Sequence, residues 1–259
     1  MTGRPGYAPA ILAALSVLLT GAVAVAADDA AIREAIEVRL QKAKLEREAD
    51  VSVVVRDGEV TLTGVATSLP ASREIERLAR KEAKTVDNQL RVHLDEPVKD
   101  ADVVSGIRKA ILGYPRYAIF DYVEFAVNEG AVLLQGSVIQ PWKKSDIESL
   151  VARVPGVREI RNDIAVQSMS QFDSDLRASL ARQIYGDPRF VRYAHRAQPP
   201  IRILVDRGNV TLAGWVGSPV EKAILDQIAR STLSFTVENR LHVDGEVPEE
   251  DRKDESSPL

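Results

Sequence analysis

The chain has no cysteine. That excludes disulfides, thiolate zinc sites, a cysteine nucleophile and the lipidated cysteine of a bacterial lipoprotein. Histidine is nearly as scarce. His93, His195 and His242 are the three in the chain, and no two have the spacing of metal ligands on one helix. Each reads as a surface residue. No Gly-x-Ser-x-Gly turn is present for a serine nucleophile, and no glycine-rich loop ends in Gly-Lys-Ser/Thr for a phosphate. Neither catalysis nor a bound cofactor or metal is expected. The net charge of −4 is too small for a broad polyanion-binding field, so nucleic acid is not expected as a partner. The charge is unevenly placed. Ten basic and eight acidic residues give +2 over 168–244, while two basic and six acidic residues give −4 over 245–259.

What the chain does have is one short pattern three times: Gly58 to Gly64, Gly130 to Gly136, and Gly208 to Gly214. A pattern at regular offsets reads as copies of one small domain. An alternating apolar run precedes each copy: Val51, Val53, Val55; Val123, Phe125, Val127; Ile201, Ile203, Val205. Period two with branched residues predicts a half-buried strand. Asp57-Gly58, Glu129-Gly130 and Arg207-Gly208 then supply a tight turn. Val60 and Leu62, with their counterparts, form the return strand. The second glycine of each copy lies within that strand, which predicts a bulge or a close approach, read here as a following helix crossing nearby.

Around each hairpin the sequence predicts two helices and a third strand. Asp29, Asp100 and Asp173 each stand three residues before an apolar run and read as N-caps. The runs step by four: Ile32, Ile36, Leu40; Val103, Ile107, Ile111; Leu176, Leu180, Ile184. Pro70, Pro141 and Pro219 open a second helix, whose buried face is read as Ile75, Leu78, Ala79; Ile147, Leu150, Val151; Ile224, Ile228. A strand follows at Asn88, Asn162 and Asn239. The fold class is α+β: three tandem αββαβ modules, each a three-stranded mixed sheet covered by two helices. They span 28–95, 100–167 and 172–244. Residues 1–27 read as a cleavable secretory signal ending in Ala24-Val25-Ala26, with an uncleaved inner-membrane anchor as the alternative. Residues 245–259 read as a disordered acidic tail.

The unit of helix, hairpin with Asp-Gly-x-Val-x-Leu-x-Gly-x-Val, helix and Asn-x-Leu-x-Val resembles the BON domain. Gly58-Glu-Val60-Thr-Leu62-Thr-Gly64-Val65 and Gly208-Asn-Val210-Thr-Leu212-Ala-Gly214 carry the likeness most closely. The second copy carries it through Gly130, Val132, Leu134 and Gly136. The resemblance covers about residues 29–244, nearly all of the expected mature chain. It departs from the family's commoner form in having three copies and in the long connector Val191 to Pro200. The first copy also lacks the Gly-x-Pro-Arg element seen at Gly113 and Gly186. The resemblance implies a periplasmic protein that attaches to phospholipid surfaces, supports the envelope under osmotic or other stress, and is not an enzyme.

Aromatic and basic residues cluster in the second and third copies. We expect the lipid-contacting residues among Arg116, Tyr117, Trp142, Lys143, Lys144, Arg189, Arg192 and Tyr193, with an anionic membrane surface as partner. Tyr117 also reads as a core residue beneath the first helix. Gly58, Gly64, Gly130, Gly136, Gly208 and Gly214 are read as structural. A second reading has the modules binding other envelope proteins through sheet faces or edges, with no direct lipid contact.

Overall fold

The computed structural model describes residues 14–94 and 96–244, and over 14–27 only the backbone. The cleavage signal and the acidic tail therefore lie outside what is described, except for the helical backbone of 14–27. No helix among the described residues is long and apolar enough to cross a membrane. The chain divides into two compact units, one up to Glu96 and one from Pro97.

The first unit is one module. Helix α1 (Ala14–Lys42) and a short 3-10 turn precede the hairpin of β1 (Ala49–Arg56) and β2 (Glu59–Ala66), and α2 (Leu69–Ala79) leads to β3 (Thr85–Val92). The sheet order is β1-β2-β3, with β1 antiparallel and β3 parallel to β2. Ile36 and Leu40 of α1 meet Val60, Leu62, Ile75 and Leu78 in the core. Ser68 caps α2 by accepting the Ala71 N–H, and Pro70 occupies its first turn.

The second unit holds two modules of the same order. They run α3 (Asp100–Leu112), β4 (Tyr122–Asn128), β5 (Ala131–Val138), α4 (Pro141–Ala152), β6 (Glu159–Asn162), β7 (Ala165–Val166), then α5 (Gln171–Tyr185), α6 (Val191–Ala194), β8 (Ile201–Asp206), β9 (Asn209–Val216), α7 (Pro219–Arg230), β10 (Thr236–Asn239) and β11 (His242–Val243). The expected single third strand is two short pieces in each of these modules. The chain steps off the ladder at Asn162 and Asn239, whose Oδ1 atoms accept the N–H of Ile164 and Leu241. The same two asparagines donate to the carbonyls of Lys144 and Lys222, which ties each third strand to the second helix. In α7 the buried face is Leu225 and Ala229, one residue on from the predicted Ile224 and Ile228, which are half-buried beside it.

The two modules of this unit share a closed strand edge. Ile119 lends its carbonyl to the Ile203 N–H at 2.8 Å, and Gln167 Oε1 accepts the Val205 N–H at 3.0 Å. The Tyr185 hydroxyl donates to the Ile201 carbonyl. Arg202 is buried, donates to the Ala118 carbonyl, and lies 4.7 Å from the centre of the Tyr117 ring. The N–H groups of Ile203 and Val205 on the β8 edge are therefore satisfied from the preceding module, and the Ile201 carbonyl from α5 of the same module. The Val191–Pro200 connector adds Gln198, which donates to the Leu112 carbonyl at 2.9 Å.

Candidate functional site

Three carboxylates build the hairpin ends. Both central turn residues have positive φ in every copy, at 53° and 76° for Asp57-Gly58, 50° and 78° for Glu129-Gly130, and 49° and 76° for Arg207-Gly208. That geometry suits a two-residue hairpin loop but strains the non-glycine partner. Asp29 accepts the N–H groups of Asp57 and Gly58 at 3.0 and 2.8 Å. Asp100 does the same for Glu129 and Gly130, and Asp173 for Arg207 and Gly208 at 3.1 and 2.7 Å. The three aspartates are thus clamps on the turn and not N-caps. Asp29 lies inside α1, and Ser170 caps α5 through its Oγ. The sequence signal was real, but the carboxylate's partners lie about thirty residues away and not in the next helical turn.

Asp173 is the buried member of the three. Burial pushes its carboxyl up, but the N–H of Gly208, the hydroxyls of Ser168 and Ser170 and the N–H of Arg207 together hold it below its ordinary value. A carboxyl depressed on folding stabilises above its unfolded pKa, and that contribution is lost as pH falls through the folded value. We expect Asp173→Ala to cost about 3 kcal/mol in urea unfolding, since two turn N–H groups lose their acceptor in a buried site. Asp29→Ala, at a half-buried turn, should cost roughly 1 kcal/mol.

The predicted lipid-contacting residues do not form one surface. Trp142 is exposed and Lys144 half-buried. Lys143 between them is buried, its Nζ 2.6 Å from Asp121, which is itself fully buried and also accepts the N–H groups of Ala118 and Ile139. Its aliphatic stem and charge are consumed inside the module, so Lys143 cannot meet a membrane. Tyr117 is buried too. Its hydroxyl accepts the Val123 N–H, and burial pushes its pKa up to about 12. Tyr193 is buried, donating to Glu221 at 2.8 Å and accepting from Gly217. Arg192 pairs with the same Glu221, and Arg189 with Asp187. Arg116 is exposed, 3.8 Å from Asp146. Arg196 stacks 4.6 Å from the Trp215 ring centre, which Tyr193 meets edge-on. Most of the aromatic-plus-basic cluster therefore builds the connector and the joint.

An exposed apolar contact lies elsewhere. Phe172, at the start of α5, stacks on Phe235, just ahead of β10, with ring centres 5.8 Å apart. Both rings lie over the Gly208 turn, where a Cβ would approach Phe235 to 2.7 Å. Phe235 is 75% exposed and Phe172 45%. Met169 at 64% and Leu233 at 86% flank them in sequence. Large apolar side chains this exposed, next to one another, mark a contact surface more often than chance. Among the described residues, no group of three or more His, Asp and Glu could hold a metal ion.

The family model of the BON domain matches residues 28–93, 99–168 and 173–245. The chain belongs to the BON domain family. No curated protein matches it. Among solved structures, the chain is similar to CdsD, a structural protein of the Type III secretion system of Chlamydia trachomatis, at 14% identity over 87% of this chain and 98% of that one, with a TM-score of 0.23. It is also similar to the periplasmic domain of the inner-membrane protein PrgH from S. typhimurium, at 15% identity over 80% and 100% of the two chains, with a TM-score of 0.19. Superpositions this loose say nothing about arrangement or partners. Family membership points to a protein of the bacterial envelope.

The three BON modules differ at the hairpin end. The residue just ahead of the third strand is Lys84 in the first, Arg158 in the second and Phe235 in the third; the amides of Arg158 and Phe235 both donate to the turn glycine's carbonyl. The residue before the clamping aspartate is Asp28, Lys99 and Phe172 in turn. Two positions that are charged in the other modules are thus both aromatic in the third. Aligning the three copies by sequence exposes this substitution. The periodicity of any single copy does not, because both residues fall outside its helices and strands or at their first turn.

Proposed function

We propose that this BON protein is a non-enzymatic, peripheral component of the envelope that binds phospholipid surfaces and supports envelope integrity under osmotic or other stress. The observation that carries this reading is the exposed Phe172–Phe235 stack, with Met169 and Leu233 exposed close by in sequence. Fully burying one such side chain contributes about 1.5–3 kcal/mol. One basic residue near an anionic surface contributes about 1 kcal/mol. Four apolar side chains, even partly inserted, outweigh the few exposed cations that survive from the sequence reading, Arg116 among them. The protein-interaction alternative loses one of its surfaces, since the β8 edge is closed from within the unit.

The test is flotation of the chain from Ala27, which retains all three matched regions, with vesicles of mixed zwitterionic and anionic phospholipid. F172S/F235S should bind about a hundredfold more weakly, with an unchanged circular dichroism spectrum. Unchanged binding would place the contact elsewhere, and no binding by the parent chain would overturn the phospholipid reading.

A further inference from the structure

We infer that the hairpin end of the third module recognises a bilayer by inserting into gaps between headgroups, and does not depend on the charge of the lipid. This preference presupposes the phospholipid attachment proposed above, and it differs from the anionic partner that the sequence suggests. It follows from which groups surround the Phe172–Phe235 stack.

Much of the rim is uncharged. Ser168, Ser170, Asn209, Ser231, Thr232 and Thr236 lie along the strand and helix ends at this pole. Their polar atoms are largely engaged locally: Ser170 caps α5, Ser231 and Thr232 donate to carbonyls at the end of α7, and Thr236 donates to Asn209 at 2.7 Å. Most nearby charges are engaged or offset, and exposed Asp175 accepts from the Gln171 side chain. Arg177 is buried and donates to the carbonyls of Ser168 and Val205. Asp173 is consumed by the turn. Arg230 pairs with Asp226 at 2.7 Å. Asp206 and Arg207 are adjacent, exposed and opposite in sign at the turn itself.

The other two modules sharpen the point. Lys84, or Arg158 with Lys99, would suit attraction to anionic headgroups; the third module has aromatic rings at both of those positions, and its turn cation Arg207 stands beside Asp206. What it gained is apolar volume on a hydroxyl-rich rim. A surface of that kind binds in proportion to the apolar area it can sink, and so responds to curvature and lipid packing more than to surface potential. Salt, which screens exposed charges beyond about 10 Å at moderate ionic strength, should change little.

The repeat supplies its own variant. F235K places at this position the residue type that the first module carries, so the substitution is compatible with the fold, and circular dichroism would check it. We would measure binding of the chain from Ala27 and of F235K to small, highly curved and to large vesicles of purely zwitterionic lipid, and to large anionic vesicles, at low and high salt. The expected result is binding to curved zwitterionic vesicles that salt does not weaken, at least about tenfold tighter than to large ones, and weakened about tenfold or more by F235K. Binding confined to anionic vesicles, lost in salt and kept or raised by F235K, would overturn the charge-independent mode while leaving phospholipid attachment standing. Binding to no vesicle would overturn both.

Discussion

Gly214→Ala should destabilise the third module by about 2–4 kcal/mol in denaturant unfolding. Gly214 sits in β9 with φ of 93°, in the left-handed region where a side chain is strained. A Cβ there would lie 1.9 Å from the Pro200 carbonyl oxygen, at the start of the partner strand. Backbone atoms cannot yield as a side-chain tip can, so the hairpin must spread. Its register pairs Ile201 with Gly214, and spreading would pull Ile201 and Ile203 out of the core they share with Leu212 and Phe190. Overpacking in a close-packed interior costs about 1–3 kcal/mol, and the φ strain adds about 1 kcal/mol or more. Gly58→Ala is the control. Gly58 also has positive φ, but nothing lies within 4 Å of its Cβ position, so about 1 kcal/mol is expected. Equal losses at the two positions would mean that conformation alone, and not contact with the neighbouring strand, fixes glycine in β9.

The second large effect concerns Lys143. Lys143→Met should destabilise the unit from Pro97 onward by about 3–5 kcal/mol, because it leaves the fully buried Asp121 carboxylate without its counter-charge. Methionine fills the aliphatic volume, so packing is largely preserved and the loss reports the charge. Replacing both members, Asp121→Ala with Lys143→Met, should recover part of it, limited by the Ala118 and Ile139 N–H groups that would then lack an acceptor. A Lys143→Met protein of unchanged stability would return Lys143 to the list of surface residues. The same substitution in a vesicle assay would mislead without this control, since weak binding could reflect unfolding of the module that closes the β8 edge.

The fold was legible because its signals are local and triplicated. Each hairpin announced itself by alternation followed by Asp-Gly, Glu-Gly or Arg-Gly, and each second helix by Pro70, Pro141 or Pro219. The glycine inside the return strand does mark a close approach, but the approaching group is the carbonyl of Asp50, Tyr122 or Pro200, in or just before the partner strand, not a crossing helix. The aspartates ahead of the first helices mislead for a related reason: a cap and a long-range clamp require the same residue. The site was less legible. Composition could gather Trp142, Lys143, Lys144 and the arginines, but burial is decided by tertiary packing, which sent Lys143, Tyr117 and Tyr193 inward. Phe172 and Phe235 are 63 positions apart in sequence and become neighbours only when β10 is laid beside β9.

The closed edge of β8 has a consequence for how such proteins can be taken apart. A repeat is usually treated as a unit that can be cut, copied or grafted. Here the third copy borrows a carbonyl from Ile119, a side-chain oxygen from Gln167 and an aromatic face from Tyr117, all encoded in the second copy. Excised on its own, it would leave the N–H groups of Ile203 and Val205 unpaired along the β8 edge, the kind of surface that recruits foreign strands. The portable fragment of this chain is therefore the pair, and a gene fusion or truncation that breaks between residues 167 and 171 would release a sticky half.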